Sequence, residues 1–247
     1  MKALFFILCF TILSLYIKAQ ESIDNFANSF ALAYNLQNEG KYKEAINAYE
    51  NIIASSTLVS PEVYNNIGLA YLENKEIGKA VLHFERAIKY APQLKDAYQN
   101  LQAAQQQVKD APKKNISTIA NIFNGIASVF SANQWAVFSL LLSIGLAASI
   151  YFLVDKKRMI ALFSISPILC LALIFGSMQK SIAMREKAVL LQSKVMLKKE
   201  PNLTAQNAGE IYEGTSMEIL SSQDNWYKIL LADGIVAWIP NSLVEKV

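Results

Sequence analysis

The stretch 64-YNNIGLAYLENKEIGKAVLHFERAIKYAP-92 decides how the first half of the chain folds. Tyr64, Ile67, Gly68 and Tyr71 recur at helical spacing, and after a short polar break so do Ala80, Phe84 and Ala87. The pattern predicts two antiparallel helices. Small Gly68 and Ala80 are expected to face each other at their closest approach, Tyr71 and Phe84 to fill the space around them, and Pro92 to stop the second helix.

The unit has a neighbour on each side. GKYKEAINAYENII, residues 40–53, resembles KEIGKAVLHFERAI, residues 75–88, when Ala45 is laid on Ala80, an offset of 35 residues. This weaker unit carries Leu32, Ala33, Leu36, Ala45, Tyr49 and Ile52. On the other side LKDAYQNLQAAQQQV, residues 94–108, supplies one more helix to cover the exposed end, with Tyr98 and Leu101 in register. On these residues the segment 22–108 resembles tetratricopeptide repeats, whose helix pairs recur about every 34 residues.

Outside this segment the composition changes. The chain has 247 residues, of which 53% are hydrophobic and 17% charged, so a uniform soluble domain is a poor description. A formal charge of +3 without a long basic block argues against nucleic acid as a partner. Cys9 and Cys170 both lie in apolar runs, which excludes a disulfide framework or a cysteine zinc site. His83 has neither a cysteine nor a second histidine to share a metal with, and is expected to be structural or solvated.

Residues 1–19 read as a signal peptide, with one lysine, an apolar core from Ala3 to Ile17 and a small residue at Ala19. An uncleaved anchor is the alternative, and either version exports the repeats behind it. Residues 109–133 form a linker containing Pro112, then Ile119, Ile122, Phe123, Ile126 and Phe130 on one helical face. That face suits the membrane interface or packing on the bundle.

Residues 134–154 are uncharged. At ~1.5 Å per residue they reach about 31 Å, the thickness of a bilayer core. Residues 155–159 hold Lys156, Lys157 and Arg158, and residues 160–178 are uncharged again. The economical reading is a two-helix transmembrane hairpin, kinked at Pro167, with Trp135 and Tyr151 near the ends of the first helix. The basic turn places itself in the cytoplasm and both flanking domains on the far side, the periplasm of a bacterial inner membrane.

Residues 188–247 switch to short apolar runs separated by Pro201, Gly209, Gly214 and Gly234, the pattern of a small all-β barrel. Glu213-Gly214-Thr215, Trp226-Tyr227-Lys228-Ile229, Asp233-Gly234 and Trp238-Ile239-Pro240 make it resemble bacterial SH3-type domains. Asp233-Gly234 suits a tight hairpin. The fold class is therefore multidomain: all-α repeats, a transmembrane hairpin and a small SH3-like barrel.

No catalytic motif is present, and Glu44, Glu50 and Glu85 are expected on solvated helix faces, so the chain reads as a non-enzyme without cofactor or metal. Binding remains. Relatives with tetratricopeptide repeats use the first helix of each pair to line a groove, which by register selects Phe30, Tyr34, Gln37, Glu62, Asn65, Asn66, Leu69, Glu73, Gln99 and Gln106. Phe30 and Tyr34 stand where a carboxylate clamp would need a lysine and an asparagine, so a peptide face is expected instead. The competing reading has Phe30, Tyr34 and Leu69 merely packing. In the barrel, Trp238 is expected in the core and Trp226 as the exposed ligand platform.

In domain order the whole chain resembles the BatE type of protein from Bacteroides aerotolerance operons. That resemblance implies a membrane complex with von Willebrand A-type partners and a MoxR-type ATPase, linked to oxidative or envelope stress. A barrel that binds peptidoglycan directly is the alternative.

Overall fold

A computed structural model describes residues 20, 23–55, 60–112, 125–126, 129–130, 132–152, 155–183 and 185–247. The expected signal peptide and most of the 109–133 segment lie outside the described residues. Five helices come first: α1 (residues 23–38), α2 (Tyr42–Ser55), α3 (Pro61–Glu73), α4 (Ile77–Tyr90) and α5 (Lys95–Gln105). Ser60 caps α3 by accepting the Val63 N–H at 3.4 Å, and Pro61 occupies a first-turn position where its missing N–H costs nothing.

The helical core runs through Ala45, Tyr49, Ile67, Ala80, Phe84, Ala97 and Leu101, on the periodicity expected. A Cβ on Gly68 would meet Phe84 Cε1 at 2.6 Å, so the glycine makes room for the Phe84 ring. A flat ring needs a bare backbone opposite it more than a methyl group does.

After the repeats come α6 (Ala132–Phe152) and α7 (Asp155–Ala183), which pack on each other. Among the described residues no helix is long and apolar enough to cross a membrane. The described residues form a helical hairpin and do not support the expected pair of spans. Residues 155–159, expected as a turn, open α7, so the basic triplet lies inside a helix that also contains Pro167 and Lys180. Trp135 is buried with Ala172 and Phe175, its ring 5.4 Å from that of Phe175.

The C-terminal unit has seven antiparallel strands: β1 (Lys187–Leu190), β2 (Lys194–Lys198), β3 (Asn207–Tyr212), β4 (Ser216–Gln223), β5 (Trp226–Leu230), β6 (Val236–Pro240) and β7 (Val244–Lys246). Their order is β3-β2-β6-β5-β4-β1-β7. Val195, Leu197, Ile211, Met217, Ile229, Ala237 and Ile239 fill its core at alternate positions. The β5–β6 hairpin closes as Asp233-Gly234 predicted: Gly234, at φ +94, donates to the Leu231 carbonyl at 3.0 Å, and Ile235 donates to Asp233 Oδ1.

The two units are joined along α4. Ala188, Val189 and Leu190 are all fully buried, because β1 is covered on both faces. Ala188 and Leu190 enter the barrel core, whereas Val189 enters the helical core, together with partly buried Leu191 and Val247.

Candidate functional site

Several of the residues expected to line a groove gather around Tyr49. Phe30 meets the Tyr49 ring edge-on at 5.9 Å, the Tyr49 hydroxyl donates to Gln37 Oε1 at 3.1 Å, and Asn66 also hydrogen-bonds Tyr49. Burial pushes the Tyr49 hydroxyl up to about 12, so it stays a neutral phenol. Tyr34, about half exposed, approaches the same phenol from α1. Asn66, Leu69 and Glu73 share one face of α3 by their spacing of three and four residues.

The competing readings divide by residue. Phe30 and Leu69 are partly buried against the helical core, so packing accounts for them. Asn65 is buried and accepts from Asn100 Nδ2 at 2.9 Å, which ties α5 to α3. Tyr34 and Glu73 are exposed, and Asn66 is half-buried. A peptide laid here would meet a phenol, an amide and a carboxylate, with no cluster of cations for its terminal carboxylate.

Trp226 belongs to another surface. Positions 226, 228 and 230 alternate away from buried Ile229, and 236, 238 and 240 away from buried Ala237 and Ile239. The register pairs Trp226 with Pro240, and Trp238 with both Lys228 and Lys198. Both tryptophans are half-buried on this outer face. Trp238 is therefore not core; the barrel is filled by its smaller neighbours Ala237 and Ile239. Two indoles and two lysines on adjacent strands give an aromatic, basic platform.

Sequence reading missed the clasp between the units. Glu85, expected on a solvated face, is only 4% exposed and accepts from Lys187 Nζ at 2.7 Å and Ser216 Oγ at 3.1 Å. Arg86 pairs with Glu245 at 2.7 Å, and Lys89 donates to the Val247 carbonyl at 2.7 Å. Glu213 accepts the Gly78 N–H at 3.0 Å. A Cβ on Gly214 would strike Val108 Cγ2 at 2.7 Å, so the loop carrying the SH3 resemblance is also the loop that docks. The residue types were visible in the sequence, but no local pattern pairs charges more than 100 positions apart.

Among the described residues no group of histidine, cysteine or carboxylate side chains could hold a metal ion. The described residues thus hold two modules, helix pairs in repeat and a small barrel with an aromatic face. Residues 61–94 match the family model of the tetratricopeptide repeat, and residues 193–245 match that of the bacterial SH3 domain. Both are protein-binding modules. No curated protein matches the chain.

Proposed function

We propose that this chain is a non-enzymatic scaffold of the bacterial inner membrane, presenting its repeats and its barrel to the periplasm within a membrane complex. The observation that carries the scaffold reading is the clasp along α4, which holds the two recognition modules in one orientation. Partners on the groove and on the barrel are thereby held at fixed spacing. The membrane reading is supported by the apolar surface of the hairpin. Val137, Leu140, Leu141 and Ile144 on α6, with Leu173 and Ile174 on α7, are all more than half exposed. A surface of that kind calls for lipid or protein around it.

The domain order supports a place beside von Willebrand A-type partners, with a MoxR-type ATPase acting indirectly, in aerotolerance or envelope stress. Export by residues 1–19 and the basic segment Lys156 to Arg158 support the periplasmic orientation. In the test, Tyr34→Glu and Glu73→Lys are introduced together and partner recovery from crosslinked membranes is quantified. Recovery should fall while insertion is unchanged; undiminished recovery removes the groove from the proposal. A reagent restricted to the periplasm should modify Lys79, and a Lys79 left unmodified would remove the periplasmic placement.

The indole pair on the barrel face favours a second reading, an envelope sensor or anchor that holds peptidoglycan directly. Co-sedimentation of the full chain with purified cell wall, lost in Trp226→Ala, would favour it over the scaffold.

A further inference from the structure

Across the outer face of the barrel the strand register sets Lys198, Trp238, Lys228 and Ser221 in one row, over β2, β6, β5 and β4. Neighbouring strands lie ~4.8 Å apart, so the two lysines leave the sheet about 10 Å from each other with an indole between them. Trp226, opposite Pro240, stands one row further along the strands. Buried Ile229, Ala237 and Ile239 point the other way, into the core, and so fix the direction of these side chains. The clasp with the repeats is made by β1, β7 and residues 213–216, none of which belongs to either row.

Charge in the first row is uncompensated. Lys187, Lys194 and Lys246 of the same barrel each meet a glutamate at 2.6–2.8 Å. Among the described residues Lys198 and Lys228 pair with no carboxylate. Lys198 Nζ donates to the Ala205 carbonyl and to Asn207 Oδ1, both neutral, and an ammonium has a third N–H to give. Lys228 is half-buried and has no side-chain hydrogen bond among the described residues. Beside the half-buried indole its charge is screened less than on open surface.

The complement of a row that reads cation, indole, cation is acid, apolar, acid. An extended polypeptide turns every second side chain to one side, ~6.7 Å apart, so three such positions span about 13 Å. The flexible four-carbon stems of the lysines splay to cover the difference, and the central apolar group rests on Trp238.

We propose that the row Lys198–Trp238–Lys228 docks an extended acidic segment of a partner protein, in which two carboxylates flank an apolar side chain at alternate positions. This names the chemistry of the partner that the scaffold reading assigns to the barrel, and rests on that reading.

Full-length 15N-labelled protein in detergent micelles has three indole N–H signals, from Trp135, Trp226 and Trp238, and buried Trp135 serves as the internal control. The protein is titrated with the end-capped peptide Ser-Glu-Ser-Leu-Ser-Glu-Ser. Controls are the same peptide with glutamine for glutamate, and a regrouped Leu-Ser-Ser-Glu-Glu-Ser-Ser. The expected result is a saturable shift of the Trp238 signal with Trp135 unmoved, and apparent affinities at least about tenfold weaker for both controls. Lys228→Glu should weaken the acidic peptide by a similar factor and should bind Ser-Glu-Ser-Leu-Ser-Lys-Ser better than wild type does. The proposal fails if the acidic peptide gives no saturable shift, if either control binds as well, or if folded Lys228→Glu shows no exchange of preference. It fails equally if a soluble cell-wall fragment shifts Trp238 where the acidic peptide does not, which would give the face to the wall-binding reading. The three peptides on wild type decide the matter should the variant not fold. Partner recovery from crosslinked membranes tests the scaffold reading separately, and would survive a failure here.

Discussion

Glu213 Oε1 accepts the backbone N–H of Gly78 at 3.0 Å, so the barrel caps a helix of the repeats across 135 positions of sequence. The residue at the helix's own cap position, Glu76, makes no side-chain capping bond. The first turn of α4 therefore takes a side-chain acceptor from the other module, whose carboxylate adds to that of Glu76 at the helix N-terminus. Glu213→Ala should destabilise the folded unit by about 1 kcal/mol. Glu213→Gln, which keeps the acceptor and loses the charge, should fall between wild type and alanine. Urea melts followed by helix ellipticity measure both. Equal stability of all three forms would show that solvent caps α4 as well as Glu213 does.

Gly68 and Phe84 make a second test. The glycine is buried, and a Cβ there lies 2.6 Å from the ring, so Gly68→Ala should cost about 1–3 kcal/mol by overpacking. Pairing it with Phe84→Leu should recover part of the loss, because the smaller side chain vacates the clash. A double-mutant cycle with a coupling near zero would mean that α3 and α4 simply move apart.

His83 sets an acid limit on stability. Its pKa is near 6.5 in the unfolded chain and about 3 in the fold, held down first by burial and then by Arg86 and Lys79. Between those values the unfolded chain binds a proton that the folded chain refuses, so stability falls as pH drops below 6.5 and the loss levels off near 3. Glu50 and Glu245 line the same cavity as His83 and accept from Tyr71 and Arg86. From pH 6.5 to 5, above the range of ordinary carboxylates, the decline should approach about 1.4 kcal/mol per unit. His83→Leu should flatten that portion of the curve. Parallel curves for the two proteins would place the histidine in contact with solvent.

Much of this architecture was legible because local pattern and burial agree. The helix pairs follow from Ala45, Gly68, Ala80 and Phe84, whose spacing is that of one helix face. The barrel hairpin follows from Asp233-Gly234. Misreadings fall where a residue is buried by something distant. Glu85 lies on a side of α4 that a single helix pair would expose to water and that the barrel covers instead, whereas His83, expected to be structural or solvated, is stacked between Tyr64 and Tyr71 of its own helix pair. Trp238 was expected inside because a small barrel needs bulk, yet β1, shared with the helices, lets smaller residues complete the core. Of the residues expected to line a groove, Tyr34 and Glu73 are exposed and Asn66 is half-buried, whereas Phe30 and Leu69 belong mostly to packing.

The clasp itself can be titrated by substitution. Glu85 is nearly inaccessible while Lys187 is 41% exposed, so the pair is asymmetric. Removing the lysine leaves a buried carboxylate whose remaining side-chain partner is Ser216, whereas removing the glutamate frees a lysine that turns to water. Lys187→Met should therefore cost more than a surface pair is worth, about 1–2 kcal/mol, with the exposure of the ammonium keeping it below the figure for fully buried pairs. Glu85→Gln, which retains an acceptor for Ser216 and a neutral contact for Lys187, should cost less than Lys187→Met. This order reverses the usual expectation that the more buried partner is the more costly to change. Added salt should weaken the Arg86–Glu245 pair at the edge more than the Glu85–Lys187 pair within. Double-mutant cycles at low and high ionic strength measure both couplings. A larger loss for Glu85→Gln, or equal screening of the two pairs, would mean that Glu85 is held by packing rather than by charge.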